Sequence, residues 1–321
     1  MENSKLYDFL KSKNITESSL KLYLNNLRRL NGGEFPKNFS FLKNVDGILE
    51  KLNQYKPNTR RSYLITIVTT LKHEPKLKKL YSTYYEHLEK YNKEGAKNNE
   101  KSDTQKQNWI NQSQVKEIYD NLTLSVKPLL ERKKAKRPTQ AEYDKLLQWV
   151  TLSLYILQKP RRNADYQHCL IVNTMPTGEL PQSTNYLNLS NGKWYFNNYK
   201  TKGTYKTQEI DATPEMLDVI KSYLKYHPLG KTLKKKSGQI PLLVDYEGNP
   251  FTSINAITRI LNKVFGKRIG ASMLRNIYLT DKYSDQMKEI QDDANAMGTS
   301  TNTIQSQYIK TDGDNVVVGD K

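Results

Sequence analysis

Arg162, Arg275 and Tyr308 follow one another along the chain in three separate segments. These are Pro160-Arg161-Arg162-Asn163-Ala164-Asp165-Tyr166, Ser272-Met273-Leu274-Arg275-Asn276-Ile277-Tyr278-Leu279-Thr280, and the stretch from Met297-Gly298-Thr299 to Gln307-Tyr308. Two arginines and a late tyrosine suffice for phosphoryl transfer on DNA without a metal: the guanidiniums clamp a phosphodiester and the phenol attacks it. A guanidinium suits the clamp because its planar fork donates two hydrogen bonds to phosphate oxygens and keeps its charge. Arg161 is the rival of Arg162 for the first position. Arg275 stands among Met273, Leu274, Ile277 and Tyr278, and an arginine amid such residues needs an anionic partner. With 22 tyrosines in the chain, a late tyrosine by its type alone means little.

A polyanionic partner also follows from the charge. The 321 residues include 51 Lys and Arg against 33 Asp and Glu, a formal net charge of +18. Residues 1–100 hold 19 of the basic and 11 of the acidic residues, so the excess is spread along the chain and not confined to a tail. That distribution suits a protein that surrounds its ligand with two domains. Cys169 is the single cysteine, which excludes an intrachain disulfide and a cysteine-based zinc site and fits a reducing, intracellular compartment. His73, His87, His168 and His227 show no metal-ligand spacing, so no metal and no cofactor is expected. No apolar run reaches membrane-spanning length, and no signal-peptide apolar region opens the chain.

The elements that must position these residues are mainly α, with a small antiparallel β-sheet. Residues 3–93 read as a helical domain of four or five helices, with Leu20, Tyr23, Leu24, Leu27 and Leu30 on one helical face, Thr16 as its cap, and Pro57 opening the helix that carries Arg60 and Arg61. Residues 94–108 are polar and read as an exposed linker. A second domain, 109–311, opens with helices near 112–132 and 139–158. Strands are expected at Asn185–Leu189 and Trp194–Tyr199 around Asn191-Gly192, with a third over Thr204–Ile210. Helices follow near 214–226, 252–264, 270–284, 286–296 and 300–309. Residues 312–321 form a tail in which Val316, Val317 and Val318 cluster.

In order and spacing these segments resemble the tyrosine recombinases, the phage-type integrase family, over about residues 3–310. The resemblance implies a helical core-binding domain followed by a recombinase-like catalytic domain. It makes Arg162 the first clamp arginine, with Asp165 as the acid that orients it, and Arg275 the second. Lys202, before Gly203 in a β-turn, takes the place of the hairpin lysine that protonates the departing 5′ oxygen, with Lys200 and Lys206 close by as competitors. Tyr308 becomes the nucleophile, leaving a 3′-phosphotyrosyl link and needing neither ATP nor metal. Ser272 and Thr299 stand where the family has imidazoles, which implies weakened strand cleavage.

The implied protein is a site-specific DNA recombinase of viral or mobile-element origin, acting as a homotetramer on double-stranded DNA, in the cytoplasm or nucleus of a host cell. No membrane and no small-molecule cofactor is implied. Arg60, Arg61, Arg161, Lys200 and Lys206 are expected on the DNA. A binding-only protein on the same scaffold and a type IB topoisomerase-like enzyme are the alternatives.

Overall fold

The computed structural model describes residues 5–12, 15–72, 74–96, 100–134, 136–173, 183–234 and 238–310. The tail over 312–321, with its three valines, lies outside them. The chain divides into two compact units, Met1–Lys101 and Ser102–Lys321.

The first unit is helical: α1 (Lys5–Lys11), α2 (Glu17–Leu30), α3 (Val45–Asn53), α4 (Pro57–Leu71) and α5 (Lys78–Ala96). Thr16 caps α2, its hydroxyl accepting from the Ser19 amide. Pro57 occupies the first turn of α4, where its missing N–H costs nothing. Leu24, Leu27 and Leu30 turn inward from α2, and Tyr63, Leu64, Ile67, Val68 and Leu71 make α4 the central helix. Buried Asn26 donates to Thr66 Oγ1 at 2.9 Å, a polar stitch between α2 and α4.

The second unit begins with α6 (Asp103–Asn108), α7 (Gln112–Leu130) and α8 (Gln140–Ile156). Each starts with a reciprocal cap, from Ser102 and Gln105, Asn111 and Gln114, and Thr139 and Glu142. The segment expected as an exposed linker over 94–108 therefore holds helix at both ends: α5 runs on to Ala96, and the capping box at Ser102 starts α6. From Trp149 to Tyr155 every side chain of α8 is buried, so the second half of this helix is wrapped on all sides, while Lys145 on its first half is exposed.

After α9 (Asn163–Gln167) come β1 (Leu170–Val172), β2 (Tyr186–Asn188), β3 (Lys193–Phe196), the single turn α10 (Lys202–Tyr205), β4 (Gln208–Asp211), α11 (Pro214–Leu224) and β5 (Gln239–Pro241). The strand order is β4-β3-β2-β1-β5. The sheet is small and five-stranded as part of a mainly helical fold, but it is mixed rather than wholly antiparallel, because β1 pairs with β2 in parallel. The β2–β3 hairpin turns at Gly192 with φ of 68°. Lys206, also left-handed at φ 58°, ends α10 and delays β4 to Gln208, so no strand starts at Thr204.

The unit closes with α12 (Ala256–Phe265), α13 (Ala271–Ala296) and the short α14 (Thr301–Thr303), which continues as a π turn over Ile304–Tyr308. The two helices expected at 270–284 and 286–296 are one: nothing from Ala271 to Ala296 is Gly or Pro, so the ladder of hydrogen bonds runs through. Among the described residues no helix is long and apolar enough to cross a membrane, and no group of three or more His, Cys, Asp or Glu is placed to hold a metal ion.

Candidate functional site

Arg162 and Arg275 line one open cleft of about 550 Å³, together with Ser272 and a third arginine, Arg268. Gln105, Asn163, Thr258 and Asn276 supply further polar lining, and among the described residues no carboxylate lines the cleft. Each guanidinium is carried by a braced element. Arg162 is the N-cap of α9, its carbonyl accepting from the Asp165 amide. Next to it Asn163 is held at both ends, accepting from Tyr155 Oη and donating to Thr258 Oγ1 on α12, each at 2.8 Å.

Left-handed Gly266 ends α12 at φ 60°, and buried Ile269 pins the loop that follows. In that loop the Arg268 amide donates to Asn108 Oδ1 at 2.9 Å, so α6 braces the loop and Gln105 reaches the cleft. Buried Met273, Leu274 and Ile277 seat the first turns of α13, leaving Ser272 exposed and Arg275 half-buried on the cleft side. Among the described residues, none of the three guanidiniums makes a hydrogen bond or ion pair. Three permanent cations around one carboxylate-free space repel one another and favour an anion between them.

Arg161, the rival of Arg162, has a different task. Its Nε donates to Asp165 Oδ2 at 2.9 Å and its Nη1 to Gln208 Oε1 at 2.9 Å, while the guanidinium lies over the Phe196 ring. The acid expected to orient Arg162 therefore takes Arg161 instead. Burial raises the Asp165 carboxyl above its ordinary range, against the downward pull of Arg161 beside it. The pair ties α9 to β3 and β4, so Arg161 holds the neighbourhood of Arg162 rather than facing a ligand.

The other expected residues do not line the cleft. Lys202 starts α10, between β3 and β4, and Lys200 and Lys206 are exposed on either side of it. Thr299 lies past the far end of α13. Its amide donates to Ala294 O, and that of left-handed Gly298 to Asn295 O, which together form a Schellman stop. At ~1.5 Å per residue, the helix carries Ala294 roughly 28 Å from Arg275. Tyr308 follows in the π turn, 55 % exposed.

In the first unit, Arg60 is consumed internally: it donates to Tyr55 O, Asn53 O, Asn53 Oδ1 and Tyr91 Oη, tying the end of α3 to α4 and α5. Its fork is thus not open to a phosphate. Arg61 is exposed and donates once, to Asn92 Oδ1.

Sequence reasoning missed Arg268 and Gln105. A signal for Arg268 is present in Gly266-Lys267-Arg268-Ile269-Gly270, a basic pair between two glycines just before Ser272. Comparison with family models, with curated proteins and with solved structures gives no significant match for this chain.

Proposed function

We propose that the chain is a DNA strand-transfer protein of the tyrosine recombinase kind. One observation carries the reading: Arg162 and Arg275, chosen from the sequence as a phosphate clamp, line the same cleft, where among the described residues no carboxylate joins them and neither guanidinium makes a hydrogen bond or ion pair. Two forks on one phosphodiester hold its non-bridging oxygens and stabilise the charge that develops on them in the transition state. In this reading Tyr308 Oη forms a bond to phosphorus as the bond to the 5′ oxygen breaks. The phenol gives up its proton, and Lys202 supplies one to the departing 5′ hydroxyl. The 3′-phosphotyrosyl link keeps the ester's energy, and attack by a 5′ hydroxyl of another strand restores the phosphodiester and the phenol. The net charge of +18 supplies affinity for the backbone, falling steeply with salt.

A second reading, a binding-only protein on this scaffold, is favoured by a specific observation: Lys202, Thr299 and Tyr308 do not line the cleft, and hydroxyls stand at Ser272 and Thr299. One experiment separates the readings. The protein is incubated with a pool of nicked duplexes that trap covalent intermediates, and protein-DNA adduct is read on a denaturing gel. Adduct from wild type that vanishes in Tyr308→Phe and in Arg275→Ala supports strand transfer. Salt-dependent binding without adduct moves the assignment to the binding-only reading. Relaxation of supercoiled plasmid without recombinant products assigns the topoisomerase-like activity.

A further inference from the structure

We infer that the second unit carries another nucleic-acid site, a cleft that takes an unpaired strand by stacking a base on Arg137 and holding its phosphates with lysines. The inference goes beyond the strand-transfer reading and does not depend on it. The cleft has a volume of about 910 Å³, against about 550 Å³ for the arginine cleft. It lies at the other end of α8. Tyr143, near the start of that helix, lines it, whereas Tyr155, near the end, holds Asn163 in the arginine cleft. At ~1.5 Å per residue the helix sets these two tyrosines roughly 18 Å apart.

Hydrogen bonds across the fold brace its walls. Tyr246 Oη donates to Pro138 O at 2.9 Å, fixing the loop before α8 against the turn that follows Asp245. Tyr226, just past α11, donates to Leu129 O. His227 Nδ1 accepts from the Leu229 amide and its Nε2 donates to Pro241 O, each at 3.0 Å. Burial lowers this imidazole to about 4, so near neutral pH it adds no charge. The charge comes from the rim. Among the described residues, Lys136, Lys225 and Lys231 line the cleft, exposed and without a hydrogen bond or ion pair, and Glu247 is the one carboxylate in the lining. Lys221 is partly neutralised by Asp218 at 3.4 Å. Arg137 lies over the Tyr246 ring, 4.3 Å from its centroid, and its Nη2 donates to Glu247 Oε2 at 3.2 Å. Ring and carboxylate hold the guanidinium in place, and at 63 % exposure it is open to a planar ligand. Free ammonium groups beside a stacking platform match the two needs of a single strand, phosphate neutralisation and a surface for an unstacked base. A duplex keeps its bases stacked on one another and cannot use Arg137. An acidic peptide would use the lysines and leave the planar cation idle.

Fluorescence anisotropy with three labelled probes tests this: a single-stranded oligonucleotide, the same strand built with abasic spacers, and the corresponding duplex. Wild type holds the base-bearing strand roughly tenfold tighter than the abasic one, the scale of one stacked base. Arg137→Lys keeps the charge and removes the planar face, so it abolishes that preference. Its denaturant unfolding stays unchanged, because the ion pair it disturbs is exposed. Lys225→Ala with Lys231→Ala weakens both single strands about tenfold at low salt and leaves the duplex within about twofold. Arg275→Ala, in the other cleft, leaves the preference for bases intact. Equal affinity of wild type for the base-bearing and abasic strands, or a preference that survives Arg137→Lys, overturns the inference. A loss of duplex binding in the double lysine variant as large as the loss of single-strand binding makes this cleft part of a duplex surface and also overturns it. Displacement of the strand by polyglutamate at matched charge would reassign the cleft to an acidic protein partner. No arm of the test reads adduct, so its failure leaves the strand-transfer reading standing, and the converse holds.

Discussion

The two ends of α13 obey different physics. At its start Ala271, Met273, Leu274 and Ile277 are buried, and the packing they make fixes Arg275 beside Arg162 and Arg268. From Thr280 to Asp293 the same helix is exposed except at Ile290, and it ends in a glycine stop followed by the exposed Tyr308. The first end is a candidate binding site because the core holds its charges where they repel one another. The second end stands apart from that core and is held locally, by the hydrogen bonds of the helix, the Schellman turn at Gly298 and the burial of Ala294 and Ile304. One helix thus separates a seated arginine cluster from an exposed tyrosine, and the two ends should respond differently to substitution.

The largest effects fall on chemistry. Tyr308→Phe, at the free end, abolishes adduct while duplex affinity stays within about twofold, since affinity comes mainly from Lys and Arg contacts to phosphate. Arg275→Ala, at the seated end, lowers adduct by on the order of 10²–10³-fold, the scale for losing one donor to a developing charge. A denaturing gel and a filter-binding curve read both. Loss of duplex affinity in Tyr308→Phe as large as that in Arg275→Ala would erase the distinction between clamp and nucleophile.

Arg161 and Arg162 sharpen it next. Arg161→Ala strands the Asp165 carboxylate in the core and costs about 3–5 kcal/mol of stability, read by denaturant unfolding of the unit. Arg162→Ala, with no ion pair or hydrogen bond to break, costs well under half of that but weakens DNA binding and adduct. The pH dependence has a definite sign. Burial already raises the Asp165 carboxyl, and without Arg161 it rises further. A carboxyl whose folded value is raised destabilises the fold while it is ionised. The deficit of Arg161→Ala is therefore full near neutral pH and shrinks as the pH falls through the raised value. A deficit that grows on acidification would contradict the burial of this pair.

Smaller effects belong to Gly298 and Arg268. Gly298 has φ of 62° and open space around a would-be side chain, so Gly298→Ala costs only the left-handed conformation, ~1–2 kcal/mol. Because this end projects from the core, the loss appears as faster hydrogen exchange at the Thr299 amide, with the global melting temperature nearly unmoved. Arg268→Ala removes one cation from the seated end and reduces the slope of log affinity on log salt by about 0.9, one phosphate contact. Its neighbour Lys267, which does not line the cleft, serves as the control, and equal slopes for the two alanine variants would make Arg268 a solvated surface residue.

Local chemistry was legible in the chain. Thr16 and Pro57 start their helices, Asn191-Gly192 turns a hairpin, and Met297-Gly298-Thr299 ends a helix, because each depends on a cap or a backbone angle set within a few residues. Arg162 and Arg275, paired from the sequence, line one cleft, although the residues alone did not show what that cleft holds. What the residues alone did not decide was how distant segments meet. Three-residue β1 and β5 are too short to show a period and exist only because the sheet accepts them. Asp165 lies within reach of two adjacent arginines, and only the packing of Phe196 and Gln208 against Arg161 settles which one it holds. Arg268 joins the cleft because Ile269 is buried and Asn108 receives the loop, contacts made across the fold. Whether residues 271–296 form one helix or two turns on the balance between an unbroken hydrogen-bond ladder and burial of the distal half. Here the ladder prevails, and it sets Tyr308 apart from the arginines it was expected to join.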